Sequence, residues 1–207
     1  MSFAKNLFTT SALTGAAAAA GSAASSGVRS RWYRSIEKPD IQPPAQVFPI
    51  VWTALYAAIA GASAGVLTRQ DEQVEAASVR AFALGQGALP TASRPVVLTP
   101  DHVVVPTPAA DREAAARQEK AARRERSGYR RALRLNLLLN AAWTWTFFQG
   151  KNPPLATANA AALALSSAGL ARRAGRQRRR YGFALALYAA WCTFATVLSW
   201  RIWKLND

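Results

Sequence analysis

Apolar positions in this chain come in long uninterrupted runs, and the charged positions gather at the ends of those runs. A helix needs about 20 apolar residues to cross a bilayer core. Residues 48–67 meet that length without a charge, and residues 182–200 do so too, ending at Arg201, Trp203 and Lys204. Residues 135–148 are short alone, but Arg131 and Arg134 can extend the run by snorkelling. Residues 154–171 form an alanine-rich run that stops at Arg172 and Arg173. The run 7–27 is rich in Ala, Ser and Gly. It reads as a span suited to close helix packing or, given Lys5 and the small residues at 20–24, as a cleavable signal peptide.

The fold class this predicts is all-α: a polytopic membrane protein, a five-transmembrane-helix bundle with a long soluble insert between helices 2 and 3. The divisions are 1–68 for helices 1 and 2 with a lid loop at 28–47, 69–131 for the insert with a charged helix, and 132–207 for helices 3 to 5. The insert has two parts. In PTASRPVVLTPDHVVVPTP the VVL and VVV runs offer a short hairpin, although the proline spacing favours an irregular loop. In ADREAAARQEKAARRER strong helix formers follow Pro108, Asp111 is placed to cap, and Glu113–Arg117 and Glu119–Arg123 sit at i,i+4. Gly128 offers a break before the third span.

Charge sharpens the picture. The 207 residues carry a formal net charge of +15, which taken alone suggests nucleic acid or an anionic surface. Yet no Asp or Glu lies between Arg126 and Leu205, and the rings lie inside the apolar runs while the basic residues lie outside them. That segregation belongs to a membrane protein whose basic residues set its orientation, and it argues against a nucleic-acid partner. With five spans, Lys5, the twelve basic residues from 69 to 134 and the six from 172 to 180 share one side, against seven on the other. In a bacterial inner membrane that puts the N-terminus in the cytoplasm. Membrane lipids are thus expected partners, and the mixed charges of the insert helix suit solvent or headgroup level.

The chain lacks the parts of ordinary catalysis. All eleven carboxylates lie outside the apolar runs, the one histidine is His102 in the insert, and the one methionine is the first residue. No metal cluster, Ser-His-Asp set, phosphate loop or haem axial pair can be assembled within the bilayer. Proton-coupled pumping, which uses carboxylate or His relays there, is disfavoured too. Cys192 reads as a small buried hydrophobe.

What the runs hold instead is rings and amides at helix-neighbour spacing. Phe48, Trp52 and Tyr56 recur at i, i+4, i+8; Asn136, Asn140, Trp143 and Phe147 share a face of the third run; Tyr188, Trp191, Ala195 and Ser199 (or Leu198) share one on the fifth. Such stripes are ordinary packing in many bundles. Asn140 is costly against lipid, so its amide is expected to face inward. Three stripes turned inward would line a hollow suited to a planar hydrophobic ligand.

The segment RWYRSIEKPDIQPPAQVFPIVWTALY (31–56) resembles the TspO/MBR family, the tryptophan-rich sensory proteins and translocator proteins (peripheral benzodiazepine receptors). The family pattern is WY-x-x-L-x-KP, then PP-x-x-VF-P-x-VW-T-x-LY. The chain carries Trp32-Tyr33, Lys38-Pro39, Pro43-Pro44, Val47-Phe48-Pro49, Val51-Trp52-Thr53 and Leu55-Tyr56. Asn140, Trp143 and Phe147-Phe148 are similar to N-x-x-W…FF, and Tyr188, Trp191, Phe194-Ala195, Leu198 and Leu205-Asn206 to the terminal pattern. The likeness covers four of the five runs and the first loop.

The resemblance implies a five-helix, commonly dimeric bundle that keeps its first segment as a span and binds porphyrins, with sterols or synthetic ligands in some members. No cofactor is required; a protoporphyrin-type tetrapyrrole is the implied ligand, in its iron-free form because no axial ligand is available. By family position Tyr33, Tyr56, Asn140, Trp143 and Ala195 match ligand-cavity positions. Pro43 and Pro44 stiffen a lid, and Trp52, Phe147, Tyr188 and Trp191 complete the expected ligand set. Trp52 and Trp191 would be catalytic only if the porphyrin is degraded with light and oxygen. A transporter or scaffold whose basic insert recruits a partner is the other alternative. Leu187 stands where the family often has Pro, Gln46 where it often has Trp, and Ser199 and Trp200 where Asn and Tyr are common, which puts sterol binding in doubt. The insert, some 60 residues long, is atypical as well. The bacterial cell membrane is favoured over the mitochondrial outer membrane.

Overall fold

The computed structural model describes residues 2–87, 97–98, 103–104 and 108–207. Its long helices are α1 (Phe3–Ser25), α3 (Val47–Gly85), α4 (Pro108–Thr144), α5 (Pro153–Gln177) and α6 (Arg179–Leu205), with a short α2 (Arg31–Ser35) between α1 and α3. Local chemistry sets their starts. The Ser30 hydroxyl accepts from Tyr33 N at 3.1 Å to cap α2, and Asn152 Oδ1 accepts from Leu155 N at 3.0 Å to cap α5. Pro153 then opens α5 where a missing N–H costs nothing. α4 ends in a π turn, Trp145–Gln149, closed by Gly150 N on Trp145 O at 2.8 Å. Lys151 follows in the left-handed region at φ 48°.

The chain divides into two compact units, Met1–Thr68 with Tyr129–Asp207, and Arg69–Gly128. The first holds two apolar clusters. One runs through Leu55, Ile59, Val66, Leu133, Leu163, Leu170, Leu185 and Tyr188. The other gathers Phe147, Ala156, Leu198 and Ile202, with Trp32, Tyr33 and Phe48 packed against them. Its surface is inverted relative to a water-soluble domain. Phe8 and Leu165 are each 77% exposed and Phe183 69%, while Asn6, Thr10, Ser63, Asn136, Asn140 and Ser167 are buried. Apolar side chains outside and paired polar ones inside are what a lipid solvent selects.

The second unit is an antiparallel helical pair. Arg126 is ion-paired with Asp71 near one end, and Arg112 Nε donates to Leu84 O at 3.0 Å near the other. The pairs Arg117–Glu113 (3.3 Å) and Arg123–Glu119 (2.8 Å) run along α4. The valine runs do form strands, but only two residues long: β1 (Val97–Leu98) pairs with β2 (Val103–Val104) through Val97↔Val104 and Leu98↔Val103.

Two expectations need correction. Gly128 breaks nothing: α4 runs through it, because one glycine costs about 1 kcal/mol against strong flanking helix formers. Asp111 lies inside the first turn of α4 rather than at its cap, where a carboxylate still favours the helix dipole. Among the described residues three helices, α3, α5 and α6, are long and apolar enough by length and composition to cross a membrane. α1 has the length, at 23 residues, but its Thr, Ser and Gly dilute it; α4 carries charged residues throughout 111–134.

Candidate functional site

α1 packs inside the first unit through polar contacts that its sequence made available. Asn6 Nδ2 donates to Thr68 Oγ1 at 3.1 Å and Thr10 Oγ1 to Ala60 O at 2.9 Å, both on α3. At its other end the Trp145 indole donates to Ala20 O at 3.0 Å, and Gln149 Nε2 to Ala24 O at 3.0 Å. Gly27 is required there: a Cβ would fall 2.8 Å from Phe148 Cβ.

The aromatic stripes of α3, α4 and α6 meet in the first unit. Trp52 lies 5.4 Å from Tyr56 and 6.3 Å from Tyr188 between ring centroids, and Phe48 lies 5.9 Å edge-on to Trp191. Trp143 stacks on Phe147 at 5.6 Å with planes 20° apart. Phe147 in turn takes the edges of Trp32 (5.7 Å) and Tyr33 (6.2 Å) from the lid. The rings thus meet one another across α3, α4, α6 and the lid. Two shallow grooves lie in the second unit, one along Glu72, Glu75, Ala76, Val79 and Arg80 and one along Ala116, Glu119, Lys120, Arg123 and Arg124.

Polar groups are threaded through the rings. Tyr56 Oη donates to Asn140 Oδ1 at 2.7 Å, Asn140 Nδ2 to Tyr188 Oη at 3.3 Å, and Tyr188 Oη to Asn136 Oδ1 at 3.1 Å. Asn136 Nδ2 continues to Ser167 Oγ at 2.9 Å, and that hydroxyl faces Cys192 Sγ at 3.7 Å. The Trp143 indole donates to Ser199 Oγ at 3.3 Å. The buried Nε1 of Trp191 finds no partner among the described residues. An indole N–H left so in a low-dielectric interior is costly unless an acceptor reaches it.

The lid is held at both ends. Lys38 Nζ sits 4.8 Å over the Tyr33 ring and Gln42 Nε2 donates to the Tyr33 hydroxyl at 3.4 Å. Burial pushes the Tyr33 phenol above its ordinary range, opposed by the Gln42 hydrogen bond. The Asn206 side chain clamps the backbone of Glu37, accepting from its N–H at 2.8 Å and donating to its C=O at 2.9 Å. That side chain thereby imitates a paired strand.

Of the residues singled out from sequence, Tyr33, Trp52, Tyr56, Asn140, Trp143, Phe147, Tyr188 and Trp191 fall into this contiguous group. Ala195 is half-buried on α6 and Pro43 half-buried in the lid, whereas Pro44 is exposed. Sequence reading missed Ser167 and the Asn206 clamp. A serine pair inside the apolar run of α5 was the signal for the first. The second had none beyond a terminal Leu-Asn.

No curated protein shows a significant match to the chain. Comparison with protein families matches the TspO/MBR family over residues 8–101 and 114–204. With nearly the whole chain matched and three helices long and apolar enough to cross a bilayer, this integral membrane protein belongs to the TspO/MBR family.

Proposed function

We propose that the chain binds a planar tetrapyrrole of the protoporphyrin class between the aromatic side chains of α3, α4 and α6, beneath the 28–47 lid, so as to sense, scavenge or pass on that ligand. The observation that carries this reading is the convergence of Trp52, Tyr56, Trp143, Tyr188 and Trp191 in one unit, with the indole N–H of Trp191 unmatched among them. Flat polarisable faces favour a flat guest, and the buried donor favours one with acceptors. Arg31, Arg34 and Lys38 border the lid and suit the propionates of such a guest. In this reading α1 and the apolar part of α4 cross the bilayer with α3, α5 and α6, as a five-span bundle that pairs into a homodimer in a bacterial cell membrane. The insert is its soluble part. A sterol is the weaker fit, given Ser199 and Trp200.

Titration of the detergent-solubilised protein with protoporphyrin should quench tryptophan emission at micromolar ligand. Replacing Trp143 by Phe and Trp191 by Leu should weaken binding about tenfold, the scale of one or two lost ring contacts. Absence of quenching in the folded wild type defeats the proposal.

A second reading is light- and oxygen-dependent breakdown of the bound porphyrin. It is favoured by Trp52 and Trp191 both lying in ring contact within the same group. Loss of illuminated turnover on replacing both rings would support it, and turnover that survives would remove it.

A further inference from the structure

The junction of α5 and α6 holds a second feature, and it belongs to the outside of the first unit rather than to the ring cluster. α5 ends at Gln177 and α6 begins at Arg179, with only Arg178 in extended conformation between them. Both helices are long and apolar enough to cross a membrane. A one-residue turn holds their ends at the same depth, so this corner lies at a membrane face. Around it stand Arg172, Arg173, Arg176, Arg178, Arg179 and Arg180, all exposed. No carboxylate occurs from 127 to 206, so neither helix of the corner carries one.

Orientation of a span needs positive charge of either kind. Here all six are arginine, whose planar fork matches phosphate oxygens two at a time where lysine offers a point charge. One fork is already fixed. Arg180 Nη2 donates to Tyr181 Oη at 3.1 Å, and its guanidinium lies 4.9 Å from that ring. The ring is seated against Gly65 of α3, where a Cβ would come within 2.3 Å of it. Arg180 is thereby held where α3 and α6 meet. At the start of α6 the N–H groups of Tyr181 and Gly182 are met by Arg178 O at 3.0 and 3.2 Å, so recognition at the corner falls to its arginine side chains.

From this geometry we infer that the α5–α6 corner is a binding surface for the phosphate headgroup of an anionic phospholipid, read by its arginines. Two phosphate-bearing sources share this chemistry, and the observations favour the lipid because the corner joins two spanning helices.

The test uses the full chain in detergent, with phosphatidic acid, phosphatidylcholine and inorganic phosphate as separate probes, retained lipid being counted by native mass spectrometry. The wild type should retain phosphatidic acid about tenfold over phosphatidylcholine, as a charge-assisted bidentate contact implies. The variant with Arg172, Arg173, Arg176, Arg178, Arg179 and Arg180 all changed to Lys keeps charge and orientation. It should lose most of that preference. Arg180→Lys alone should lose part of it. Unchanged helix content in both variants shows that folding is not the cause, and a protoporphyrin titration reports on the ring cluster independently. A wild type that does not distinguish the two lipids overturns the inference. So does an all-Lys variant that keeps the preference, which would make the surface a generic positive charge. Displacement of the lipid by equimolar inorganic phosphate would overturn it as well, by identifying a free anion as the occupant.

Discussion

The Asn140 amide ties three helices together, since from α4 it joins Tyr56 on α3 to Tyr188 on α6. Leucine would fill the same volume but strand the Tyr56 hydroxyl, at a cost of about 1–3 kcal/mol, while Tyr188 keeps Asn136 as its acceptor. Asn140→Leu is therefore expected to lower the thermal midpoint in detergent, with a deficit on the order of 1–3 kcal/mol. Asn140→Asp, which keeps the acceptor for Tyr56, should lose less at low pH, where it is protonated and can also donate. Tyr33 gives a prediction of the opposite kind. Its phenol is raised above the ordinary 10.0 because burial disfavours the charged form. The neutral ring's contribution to lid closure is fully present below pH 10.0 and is lost as pH climbs through the raised value. Tyr33→Phe should abolish that alkaline component, read as the difference between wild-type and variant stability from pH 9 upward.

Between elements, backbone proximity sets the tolerance of α5 against α6. A Cβ on Gly182 would lie 2.6 Å from Gly175 Cα and 3.2 Å from Ala171 O, which are main-chain atoms that cannot swing aside. A Cβ on Gly175 meets only Gly182 Cα at 3.7 Å. Gly182→Ala is expected to cost about 1–3 kcal/mol as the helices are forced apart. Gly175→Ala should be neutral or stabilising by up to about 1 kcal/mol, since alanine is the better helix former. Equal effects on the two thermal midpoints would refute the asymmetry. This contact was not legible beforehand, because spacing along a run does not reveal which small residues meet across a crossing. The runs behind α3, α5 and α6 were legible, since length and lack of charge state them directly. The continuous passage of α4 through Gly128 was hidden by the change in composition there, which signals a change of surroundings and not of backbone. The π turn at Trp145–Gln149 was hidden as well, since an extra residue in a turn leaves no compositional trace.

At the scale of the whole chain the question is whether the 69–128 unit serves ligand binding. Every residue of the two apolar clusters falls in 1–68 or 129–207, as does every ring of the candidate site. The ring positions were readable from stripes at i, i+4 and i+7. Which rings meet across helices was not, because periodicity gives a face and not the distance between faces. Where α3 leaves the first unit and α4 returns to it, Tyr129 Oη donates to Ser63 Oγ at 3.1 Å, so the two helices are already tied there. Short Gly/Ser linkers add little closure entropy, about 0.6 kcal/mol for each doubling in length. Replacing 71–126 by such a linker should therefore leave a folded first unit. Its quenching by protoporphyrin should stay within about threefold of the full chain, a shift of under 1 kcal/mol. A deletion variant with intact helix content but no quenching would assign the insert a part in the site. Retained quenching would leave the insert with a role of its own, separable from the ligand.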